Sequence, residues 1–133
     1  MLDLGAADLA GIRLGEPFSQ FTDRFPTAAV EALPLPHAHW PEPCGAGTRA
    51  VVWSNESGTI REITLFLDTD DAGPADAALH ARHGAGEEAS AHVGGAEQSY
   101  LLWDDPARPG AEIARVRYAE GATTRVKVLW QLG

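Results

Sequence analysis

Residues 111–132 read AEIARVRYAEGATTRVKVLWQL, two runs of alternating apolar and polar residues interrupted at Gly121. A side-chain period of two belongs to a strand with one buried face, so this stretch predicts a β-hairpin. An isolated hairpin is marginal in water, and the run therefore demands further strands and a covering layer. Ala114, Val116 and Tyr118 are expected to share a face with Thr124, Val126, Val128 and Trp130. That matching puts Arg115, Arg117, Arg125 and Lys127 together on the opposite face, four of the ten basic residues. Like charges opposed across strands repel each other, so either the chain's own carboxylates neutralise the cluster or it meets an anion.

Other segments supply the partners. SYLLWDD lies upstream of the hairpin, and TRAVVWS and TIREITLFL, rich in β-branched and aromatic residues, flank the turn signal NESG. In the last of these, Ile63, Leu65 and Leu67 fall on one face, with Glu62, Thr64 and Phe66 on the other. Ile12 and Leu14 alternate as a short strand would. Phe18, Phe21 and Phe25 recur at three and four residues between Pro17 and Pro26, which predicts a core-facing helix over 17–25. Pro74 and Gly84 bracket a second helix over 74–83. The stretch 27–47, with Pro34, Pro36, Pro41 and Pro43, reads as an irregular connection, and the small, polar residues 84–97 read as a loop. The sum is one α+β domain spanning 1–133. It has an antiparallel sheet of five to six strands with two short helices on one face, arranged as two helix-plus-meander halves.

The charge balance narrows the partners. Nineteen acidic residues against ten basic ones give a formal net charge of −9, which repels phosphate backbones and anionic lipid and attracts cationic surfaces. Nucleic acid and membrane are therefore not expected partners. The lone Cys44 excludes an internal disulfide, and the start MLDLGAADLAG lacks the basic-then-apolar pattern of a secretory signal. A cytoplasmic location is expected.

Catalytic motifs are not found. In PLPHAHWPEPCG, residues 34–45, His37, His39 and Cys44 with Glu42 offer a set of zinc donors, but no paired C-x-x-C or H-x-x-x-H spacing accompanies them. A proline-rich loop without metal is the expectation. DTDDAG starts like a calcium loop, but Ala72 and Leu79 stand at its fifth and twelfth positions, so its acids are read as capping a helix. No serine has a G-x-S-x-G setting, Cys44 has no helix N-terminus to activate it, and no phosphate-binding glycine loop is present. His80 and His83 lie one turn apart on the second helix, where solvated side chains are the ordinary outcome. The reading is a non-enzymatic chain without a cofactor. Among the tryptophans, Trp53 and Trp130 lie inside strand patterns and read as core, whereas Trp40 and Trp103 flank loops and read as surface anchors.

The segment GIRLGEPFSQFTDRFP combines a strand ending in hydrophobic-x-Leu-Gly with a helix of the form x-x-Phe-x-x-hydrophobic and a closing proline. It resembles the openings of immunity proteins from bacterial polymorphic toxin systems, which are small, acidic, cytoplasmic α+β domains. The resemblance implies a chain that binds and occludes a cognate toxin, and the net charge suits a basic one. Expected at that interface are Asp68, Asp70, Asp71, Glu87, Glu88, Asp104 and Asp105 at the rim, with Trp40 or Trp103 near the centre. The alternative is a small-molecule-binding or enzymatic domain with an internal pocket and an anion-binding arginine hairpin.

Overall fold

A computed structural model describes residues 2–106 and 108–132. The elements run α1 (Phe18–Arg24), β1 (Ala29–Glu31), β2 (His37–Pro41), β3 (Thr48–Ser54), β4 (Ile60–Leu67), α2 (Gly73–His83), β5 (Glu87–Val93), β6 (Ala96–Asp104), β7 (Ala111–Glu120) and β8 (Thr123–Leu132). All eight strands join one antiparallel sheet in the order β1-β2-β3-β4-β8-β7-β6-β5. Each helix is thus followed by a four-stranded meander, and the two meanders meet where β4 pairs with β8.

The sheet is larger than the five to six strands expected. Two additional strands, β1 and β2, come from the proline-rich stretch and a third, β5, from the segment read as a loop. Pro34, Pro36 and Pro43 lie outside β2 and Pro41 closes it, so the ladder loses little to their missing donors. The expected strand at Ile12 and Leu14 is not formed. Instead these residues are buried in a run of turns whose bridges are Leu9–Ile12 and Pro17–Thr59.

Directly opposed residues of antiparallel strands share a face, so the registers sort the side chains. One face carries Trp40, Ala50, Val52, Ile63, Leu65, Leu67, Val126, Val128, Trp130, Ile113 and Trp103, and this is the core. Both helices cover it. In α1, Phe21 lies with its ring centroid 5.2 Å from Trp40, and Phe25, just past the helix end, lies 4.5 Å from the same ring. Helix α2 buries Ala75 and Leu79, and Asp71 accepts a hydrogen bond from Gly73 N at 2.9 Å where that helix begins. Gly86 lets the chain pass over Trp103, because a Cβ there would stand 2.8 Å from the indole ring.

The segment before α1 completes this cover. Arg82 donates to the carbonyls of Gly5, Ala7 and Asp8, tying the end of α2 to the N-terminal turns. The buried Asp8 carboxylate accepts from Leu14 N at 2.8 Å and from Arg108 through two bonds of 2.7 Å each. Charge-assisted, bidentate contacts of this kind compensate a carboxylate for the water it has lost.

The hairpin register differs from expectation by one residue. Val116 faces Lys127 and Arg117 faces Val126, so Arg115 and Arg117 lie on the helix-covered side and Arg125 and Lys127 on the other. The expected four-residue basic cluster does not form. Arg115 is buried against Asp76 of α2, with Nε 2.6 Å from Oδ1, while Arg117 Nε donates to the Asp70 carbonyl at 3.0 Å. A one-residue slip exchanges every side chain between faces, and the core selected the register that buries Ile113 with Trp130.

Candidate functional site

No helix among the described residues lies over the second face of the sheet. Across its middle, Val51, Trp53, Thr64, Phe66, Leu129, Val116 and Tyr118 project from β3, β4, β8 and β7. Val51, Thr64 and Val116 are buried by their neighbours, and the aromatic rings are partly buried. Cations lie over two rings, with the Arg49 guanidinium 4.1 Å from the Phe66 centroid and the Lys127 ammonium 4.9 Å from that of Tyr118. Such stacking holds long side chains flat and shields the rings without removing them from reach. Arg125 pairs with Asp68 at 3.4 Å beside Tyr118, and burial, with the Glu120 carboxylate 3.4 Å from the hydroxyl, pushes the phenol above its ordinary range.

At the β1–β2 end, a polar cluster borders this face. His37 and His39 are two apart on β2 and point the same way, and Glu31 sits opposite His37 on β1. Their three ligand-type atoms lie within 4.8 Å of one another. His37 Nε2 is 2.8 Å and His39 Nε2 is 3.3 Å from the same Glu31 oxygen. His37 is buried, stacked on Trp53 with centroids 4.0 Å apart, and its Nδ1 lies 2.8 Å from the Leu35 carbonyl. The hydrogen bonds from His39 and His37 hold the Glu31 carboxyl below its usual range.

Cys44 is not part of that cluster. It packs against the core, where burial and the nearby Asp3 carboxylate push its thiol up to about 11. The donor set weighed from sequence, His37 and His39 with Cys44 and Glu42, is therefore not the one that assembles. Glu31 takes part instead.

The residues expected to bind a partner are dispersed. Trp40 and Trp103 are each only 5% exposed in the core, the second donating its indole N–H to the Gly84 carbonyl at 2.8 Å. Neither offers a surface anchor; Trp130 lies in the core as expected, and Trp53 is the one that borders the uncovered face. Glu87 and Asp104 project on the uncovered side of β5 and β6, and Glu88 on the other. Asp70 and Asp71 lie at the start of α2, beside Arg115 and Arg117. Asp105 pairs with Arg108 at 2.7 Å. Residues missed in the sequence are Glu31, Trp53, Phe66 and Tyr118: Phe66 stood on the polar side of its strand, Trp53 and Tyr118 read as core-facing, and Glu31 lay in no recognisable strand.

No protein-family model, curated protein sequence or solved structure matches the chain. No helix among the described residues is long and apolar enough to cross a membrane.

Proposed function

We propose that this chain is a binding protein of the immunity type, which docks a cationic toxin domain on the uncovered face of its sheet and occludes the toxin's active site. The observation that carries the reading is that face itself: Trp53, Phe66 and Tyr118 line up on one rigid surface without a layer over them. Partly accessible aromatic residues gathered on one face suit docking, and aromatic residues dominate binding energy when a partner excludes water from them. Carboxylates surround it, since the registers bring Glu31, Glu62, Glu87, Asp104, Glu112 and Glu120 to the same side against Arg49, Arg125 and Lys127. With a net charge of −9 on the whole chain, the field favours a basic partner and accelerates its approach.

Titration calorimetry with a basic toxin domain, sought among the products of neighbouring genes, tests this. The expected result is a submicromolar complex, at least about tenfold weaker with Phe66→Glu and weaker as salt rises. Absence of binding at micromolar concentration, or a complex indifferent to Phe66→Glu and Trp53→Glu, overturns it.

A further inference from the structure

We propose that Glu31, His37 and His39 form a binding site for a divalent transition ion of the zinc class, at the edge of the uncovered sheet face. The His37 Nδ1 lies 2.8 Å from the Leu35 carbonyl, an acceptor, so this nitrogen carries a hydrogen. In the neutral ring Nε2 then presents a lone pair, yet it faces a Glu31 carboxylate oxygen at 2.8 Å. A cation between them reconciles the two lone pairs: a proton, which makes the contact a hydrogen bond, or a metal ion, which the neighbouring His39 Nε2 can also reach.

The remaining geometry fits the same occupant. A histidine that ligates through one nitrogen characteristically donates the other N–H to a carbonyl, which fixes both tautomer and ring orientation, and Leu35 provides that acceptor. His39 Nε2 is 3.3 Å from the same Glu31 oxygen. Ligands bound tetrahedrally at roughly 2.0–2.1 Å stand about 3.3 Å apart, so small shifts bring all three onto one ion. The scaffold is stiff where it counts: His37 is buried and clamped on Trp53, and cross-strand pairing sets Glu31 opposite it. Two imidazoles and a carboxylate suit zinc, nickel, cobalt or copper rather than calcium or magnesium, which favour all-oxygen sets. Three protein ligands leave at least one position open, on the side where His39 is half exposed and Val51, Trp53 and Thr64 line a shallow groove. This site does not depend on the toxin-binding reading, and its test uses metal alone.

The experiment titrates zinc chloride into the tag-free full chain at pH 7.5 by calorimetry, and repeats it with cobalt for its visible absorption and with copper for quenching of Trp53. One saturable ion per chain at micromolar affinity is expected. Partners of metal ligands are themselves worth about 10- to 100-fold, so losing a ligand through His39→Ala or Glu31→Gln weakens binding at least tenfold. Both residues are exposed, so these variants fold even if His37→Ala does not. Cys44→Ser keeps the wild-type affinity. Lack of saturable binding below 1 mM, or binding that survives His39→Ala with Glu31→Gln but disappears with Cys44→Ser, overturns the site.

Discussion

The two faces of the sheet are made from the same strands and do opposite work. On the covered face large side chains are fully enclosed: Ile63, Leu65, Ile113, Val126, Val128 and Trp130 are each 0% exposed. Its few charges are matched in place, Arg115 by Asp76 and Asp8 by Arg108. On the uncovered face the rings stay partly accessible, with cations stacked over Phe66 and Tyr118. One face holds the fold together through shape, and the other retains unspent apolar surface that a partner can bury. The difference teaches that stability and the proposed binding are separable here by side-chain parity alone.

That separation can be tested by substitution. The largest loss is expected for Trp130→Ala, which empties a site enclosed on all sides and costs about 3–5 kcal/mol in denaturant unfolding. Asp8→Ala leaves Arg108 facing a buried gap and frees Leu14 N, and is expected to cost about 3 kcal/mol by the same measurement. Phe66→Ala on the other face is expected to cost about 1 kcal/mol, mostly its contact with Arg49, while weakening the proposed toxin complex far more than either core variant that still folds. A Phe66 variant as destabilising as Trp130→Ala would erase the contrast. The smallest effect concerns pH. Burial, with Arg82 beside it, holds His83 on the covered side below its ordinary 6.5, against the pull of Asp105 and Asp8. The unfolded chain therefore takes up that proton first, so stability is full above about pH 6.5 and declines as pH falls below it. Melting curves at pH 7.5 and 5.5 are expected to show the decline, and His83→Gln to reduce it.

Most of the covered face was legible in the chain. Ile63, Leu65 and Leu67 alternate without interruption, and Phe18, Phe21 and Phe25 keep helical spacing, because a buried surface imposes its period on the sequence. The uncovered face imposed no such constraint. Strand β5 is exposed along its whole length, so EEASAHV shows no apolar alternation and read as a loop. Prolines around HAHWP masked a strand that they bound rather than break. The hairpin misread has the same origin: Val116 and Tyr118 are apolar residues of the uncovered side, and pairing them with Val126 and Trp130 satisfied the pattern while shifting the register by one. Glu31 was illegible because AVE is too short to announce a strand, so nothing linked it to the two histidines before the fold brought them together.

The order of the strands also bears on how the chain acquires its shape. Neighbours in the sheet follow one another in sequence everywhere but at β4 and β8. Hairpins close over short loops on a timescale of about microseconds, whereas joining residues 62–67 to 126–131 must wait for a far longer loop to close. That junction is expected to close last, leaving each meander with an unpaired edge complementary to the other until it does. Two copies refolded together at high concentration can therefore trade halves, giving an exchanged dimer that dilute refolding avoids.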